Sequence, residues 1–132
     1  MTRSWLVFTL AVVLLTAVTA SAHHSQAAQY DTNKKVSIEG TMVQFQFRNP
    51  HSFVQVEAPD ETGQVVRWSI EWGGSGQLTG QGVSRTTLKY GDVVTITANP
   101  SRTPNDHKLH MLTLHRKSDG FGWGTRPGEV TD

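Results

Sequence analysis

Six histidines and no cysteine hold whatever capacity for metal binding or proton transfer this 132-residue chain has. They stand at His23, His24, His51, His107, His110 and His115. The first two follow Ala20-Ser21-Ala22, an A-x-A site behind a charged Arg3 and an apolar run from Trp5 to Val18, which is the layout of a secretory signal. A cut after Ala22 would leave His23 as the first residue. Its α-amine, with an ordinary pKa of about 7.7 to 8, and its imidazole are then both available as nitrogen donors near neutral pH. Completed by His24 or His51, that pair suits tetragonal Cu(II). A cut after Ala20 would put a histidine third, behind an amine and two amides, which suits square-planar Cu(II) or Ni(II). The metal candidates are therefore His23, His24 and His51, with Cu(II) as the ion. The competing reading is that His23-His24-Ser25 opens a solvated leader and His51 caps a turn. Zinc fits less well, because the chain has neither His-Glu-x-x-His nor a cysteine ligand. His107 and His110 are three apart, on opposite faces of a strand, and make no ligand pair.

Catalytic chemistry has no comparable anchor, and no catalytic residue is assigned. Ser52 beside His51 is only sequence adjacency, since neighbouring strand residues point apart. The glycines between Gly73 and Gly82 match no phosphate-binding spacing. Candidate ligand-binding residues are Arg48 and Asn49, at the corner closed by Pro50-His51, and Glu71. Strand alternation puts Glu71 opposite Trp68 and Trp72 and predicts that it faces solvent.

These residues are positioned by runs of two-residue hydrophobic period. Val36 to Phe47 reads as a first strand whose buried face switches at a bulge near Gly40. Ser52 to Ala58 and Gln64 to Trp72 read as the second and third strands, joined by a hairpin through Pro59 to Gly63. Val93 to Ala98 and His107 to Arg116 are the fourth and fifth, with His110 in phase with Leu112 and Leu114. The expected core is Val43, Phe45, Val54, Val56, Trp68, Ile70, Val94, Ile96, Leu112 and Leu114. Three strands, a weak connector helix or loop anchored by Leu78, and two more strands give an all-β, five-stranded OB-like Greek-key barrel. The divisions are a cleaved signal over 1–22, a polar surface leader over 23–35, the barrel over 36–117 and a flexible Gly-rich tail over 118–132.

Loss of Arg3 with the signal leaves 11 basic against 11 acidic residues, a balance that argues against nucleic acid as a partner. The apolar run, about 14 residues, is shorter than the roughly 20 that span a bilayer, so no stable membrane anchor is expected.

Ala22-His23-His24-Ser25, Tyr30-Asp31, Gly40-Thr41, Asn49-Pro50-His51, Trp68 with Glu71, and Leu88-Lys89-Tyr90-Gly91-Asp92 together give the chain, over about residues 22 to 115, a pattern that resembles a family of small exported bacterial proteins of unknown function. The resemblance implies an exported single domain and supplies no activity. This chain departs from it at GGSGQLTGQG, where the family has a more helix-competent segment, and in its longer tail. The expectation is a periplasmic or secreted, non-catalytic binding domain for a small molecule, peptide, saccharide or metal ion. Its alternative is a copper-binding protein using the terminal histidines.

Overall fold

The computed structural model describes residues 26–124. The expected signal over 1–22, His23 and His24 lie outside the described residues. Strands β1 (Val36–Gln46), β2 (Ser52–Pro59) and β3 (Val65–Trp72) form an antiparallel meander, followed by helix α1 (Ser75–Gly80) and strands β4 (Val93–Pro100), β5 (Lys108–Arg116) and β6 (Phe121–Trp123). The sheet runs β3-β2-β1-β4-β5-β6, and a parallel pairing of β3 with β5 closes the first five strands into a barrel of OB order. Among the described residues no helix is long and apolar enough to cross a membrane.

Strand β1 belongs to both halves of the barrel: Val36 to Thr41 pair with β4, and Thr41 to Gln46 pair with β2. Gly40 sits where the three strands crowd together. A Cβ there would lie 2.2 Å from the Glu57 carbonyl oxygen, so glycine is required by close approach. The bulge expected at Gly40 is instead at Val43, the extra residue between the pairs Met42–Val56 and Gln44–Gln55. As a result Ile38 and Met42 enter the core, while Val43 is half-buried. Strand β5 repeats the device. Leu112 is extra between Met111 and Thr113, so Leu109, Met111 and Leu114 are buried and Leu112 is not. Val54, Val56, Ile70, Val94 and Ile96 lie in the core as expected, and Phe45 and Trp68 are half-buried against it.

Helix α1 has only six residues and no side-chain cap, in keeping with its three glycines counted with Gly74 at its start. Packing holds it: Leu78 is fully buried, the Ser75 N–H donates to the Arg48 carbonyl at 3.0 Å, and the Gly76 N–H donates to Asn49 Oδ1 at 3.3 Å. The leader and the tail differ from expectation. Tyr30 is 4% exposed, because residues 26–30 lie as a strap over the β3–β5 seam. Residues 121–123 do not fray. They add β6 to the edge of β5, and Trp123 packs edge-on against Trp72 at 5.1 Å between ring centroids.

Candidate functional site

At the seam, Glu71 of β3 stands opposite His110 of β5. Alternation does place Glu71 on the face opposite Ile70 and Trp72, but that face is roofed by the strap. Glu71 is 9% exposed, a correction of the expectation that it faces solvent. Both of its oxygens are engaged: the Tyr30 O–H donates to Oε2 at 2.6 Å, and His51 Nδ1 lies 3.1 Å from Oε1. A carboxylate oxygen accepts, so His51 Nδ1 is the donor of this hydrogen bond. Gln26 Nε2 lies 3.1 Å from His110 Nε2. An amide nitrogen has only protons to offer, which makes His110 the acceptor and puts its own proton on Nδ1. The Tyr30 and His110 rings lie 5.4 Å apart, closing the cluster.

Burial, the Glu71 hydrogen bond and the Glu71 charge push the Tyr30 phenol well above its ordinary range, so it is a fixed O–H donor. Burial holds His110 below the ordinary imidazole value and outweighs the nearby Glu71 charge. The ring is neutral at pH 7 and offers an electron pair. Beside the cluster is a cavity of about 180 Å³, lined by Gln26, Pro50, His51, Trp72, Gly73, Gly74, Gln77, His110, Met111 and Trp123. Trp72, 2% exposed, keeps its indole N–H without an acceptor among the described residues. Such orphaned buried donors are rare and commonly mark a missing partner. The lining residues bring two imidazoles, side-chain amides and a thioether to the cavity.

The fold unites only part of the expected site. His51 and Glu71 come together, but Arg48 and Asn49 serve other ends: Asn49 holds the start of α1, and the Arg48 guanidinium lies over the Phe53 ring at 5.3 Å. Ser52 is fully buried and bonded to the Arg48 backbone, so it forms no dyad with His51. Sequence reasoning missed His110 and Gln26 as site residues and gave Tyr30 no role. Only the non-local pairing of Glu71 with His110 could have supplied the signal. Among the described residues no group of three or more His, Cys, Asp or Glu side chains has metal-holding geometry. A second cavity of about 340 Å³ lies beside Trp68 and His107, at the loop between β4 and β5, where Asn105 and His107 take positive φ of 61° and 50°.

A family model described as a family of unknown function, DUF6152, matches residues 11–110. The chain belongs to DUF6152. No curated protein matches the sequence. Among solved structures, the mitochondrial single-stranded DNA binding protein Rim1 from S. cerevisiae is similar, with a TM-score of 0.46 and 17% identity over 64% of this chain and 93% of that one. That neighbour, a single-stranded DNA binding protein, overturns the expectation that nucleic acid is excluded as a partner. The expectation rested on net charge, which does not say how charges and rings are placed locally: the Arg48 guanidinium lies over the Phe53 ring.

Proposed function

We propose that this DUF6152 chain is an exported, non-catalytic binding module whose recognition site is the seam cavity. The observation that carries the reading is that one cavity is lined by both the His51 and the His110 imidazoles, brought there from the β1–β2 corner and from β5. A ligand group that donates to, or coordinates, an imidazole would be held between them. At about 180 Å³ the cavity is smaller than the roughly 300 to 1,000 Å³ of drug-sized sites, which favours an ion or a small molecule over a long polymer. A non-catalytic role is supported by the Tyr30 hydroxyl, fixed as a donor to Glu71, and by the burial of Ser52: neither of these described residues gives the imidazoles a hydroxyl nucleophile to activate. Export is supported by the signal-like layout of residues 1–22.

The test uses the chain beginning at His23 and follows the Trp72 and Trp123 indole signals by proton–nitrogen NMR. Amino acids, small carboxylic acids, monosaccharides, CuSO4, ZnSO4 and a short oligothymidylate are titrated in turn. Saturable shifts of those two indoles with an ion or small molecule support the reading. Silence toward the whole panel, shifts confined to the oligonucleotide, or turnover of any panel compound overturns it.

The copper reading stays beside it, because the strap that carries Gln26 to His110 begins three residues after His23. His23, with His24 or His51, would supply the nitrogens. A chain bearing one extra residue before His23 should then show a changed Cu(II) spectrum. An identical spectrum removes the His23 amine from the ligand set.

A further inference from the structure

We propose that the open edge of β3, with the cavity beside it, is a docking site for a short extended peptide segment that carries a basic residue. The site is separate from the seam cavity and independent of it. On β3 the Ser69 N–H donates to the His107 carbonyl at 2.9 Å, so Ser69 turns its backbone groups toward β5. The other side of the strand belongs to β2: the Asp60 N–H donates to the Gln64 carbonyl at 2.8 Å, and the ladder that starts there takes the even-numbered residues of β3. Val65 and Arg67 therefore point their N–H and C=O groups the same way as Ser69. Strand β5 does not meet them. Its pairing with β3 covers only Ser69, Ile70 and Glu71, because the chain ahead of Lys108 bends away through Asn105 and His107 at positive φ of 61° and 50°. The edge left open is three residues long, about 10 Å at 3.3 Å per residue. Two backbone donors and two acceptors in a row are the complement of another extended main chain.

The cavity supplies the side-chain half of the recognition. It measures about 340 Å³, within the roughly 300 to 1,000 Å³ of ligand sites, and is walled by the β2–β3 hairpin, Trp68 and the β4–β5 loop. Half-buried Trp68 gives it an aromatic wall, held edge-on to His107 with ring centroids 5.0 Å apart, and Pro104 adds an apolar ring. Asp60, Glu61 and Asp106 set three carboxylates against the one ammonium of Lys108. That imbalance favours a lysine or arginine side chain over an acidic one.

The experiment titrates an acetylated, amidated Val-Lys-Val-Lys-Val pentapeptide into the nitrogen-15-labelled chain beginning at His23. Saturable shifts are expected at the Val65 and Arg67 amides and the Trp68 indole, with the Trp72 and Trp123 indoles of the seam cavity unmoved. The same peptide with its backbone nitrogens methylated cannot donate and should bind about 10-fold or more weakly. A Val-Glu-Val-Glu-Val peptide should also bind more weakly, as should Glu61→Lys, which reverses one exposed charge and is expected to cost roughly 5-fold. Val65→Pro deletes one edge donor at the first residue of a strand, where proline is tolerated, and should lose about 10-fold; melting curves verify that both variants fold. Absence of those shifts, or equal affinity for the methylated peptide, overturns the proposal. So does a Trp68 response to glucose without one to the peptide, which would make the cavity a saccharide site. Each of these failures leaves the seam-cavity reading standing, because that reading is followed at Trp72 and Trp123.

Discussion

Strand β5 carries a polar clasp at each end, and the two are built on opposite electrostatic plans. At its C-terminal end the Arg116 guanidinium, 13% exposed, donates to Asp92 at 2.6 Å, to Asp119 at 2.8 Å and to the Thr87 carbonyl at 2.6 Å. That clasp brings its own cation. At the other end Glu71 is held by a phenol and an imidazole, with no guanidinium or ammonium paired to it among the described residues. A carboxylate placed against arginine needs nothing further to be satisfied. One buried against a phenol and an imidazole has no such fixed cation beside it. The contrast separates a closed clasp at the Arg116 end from the end that carries the proposed site.

Removing each clasp tests that distinction. Arg116→Ala strips the cation from two carboxylates at once and should cost about 3 kcal/mol in chemical denaturation, near the lower end for breaking a buried pair because Asp119 remains solvated. A cost below about 0.5 kcal/mol would mean that the clasp is decorative and the comparison fails.

Tyr30→Phe removes one hydrogen bond to the Glu71 carboxylate and should cost about 1.5 to 3 kcal/mol. Its more telling signature is local: amides of residues 26–30 should exchange faster while β1 and β4 keep their protection. Uniform loss of protection across the barrel would show that the strap is integral to the core.

The smallest effects are in pH, and they have opposite signs. The Arg116 guanidinium holds the Asp119 carboxyl down at about 2, against 3.8 for the free group. Its folded pKa is depressed, so its contribution is fully present above the ordinary carboxylate range and fades as pH falls from about 4 toward 2. Tyr30 is shifted the other way, by burial first and then by Glu71. Its contribution is complete below the ordinary phenol value of 10.0 and is lost as pH rises beyond it. Acid should therefore loosen the Arg116 end and alkali the strap. Fluorescence of the Trp72–Trp123 pair alongside exchange of the strap amides can follow the two. Strap release at pH 3 with an intact Arg116 clasp would reverse the assignment.

How far the sequence revealed this depends on whether the deciding contact is local. The strand alternation, the Pro59 to Gly63 hairpin and the Leu78-anchored connector are properties of short stretches, and all appear in the fold. The bulges are not, because whether Val43 or Leu112 is the extra residue is fixed by the partner strand. Misplacing the first and missing the second put Val43 and Leu112 in the expected core in place of Met42 and Met111. The site was half legible for the same reason. His51 and Glu71 are conspicuous by type, but the burial of Glu71 requires Tyr30, and the role of His110 requires the parallel register of β3 on β5. Neither has a periodic signature. β6, three residues with Gly122 at its centre, is too short to show one.

The double allegiance of β1 also sets a timetable. Its first half cannot pair until β4 exists, and the barrel cannot shut until β5, more than 60 residues after the end of β1, reaches β3. Contacts between such distant segments carry a loop-closure cost before they return any stabilisation, so domains of this kind fold in milliseconds to seconds, more slowly than helical ones. The meander of β1, β2 and β3 can assemble early, and the parallel seam must come late. The strap over residues 26–30, synthesised before every strand of the barrel, can dock only on that finished seam. The Glu71 cluster is thus completed in the last act of folding by a segment made before any strand.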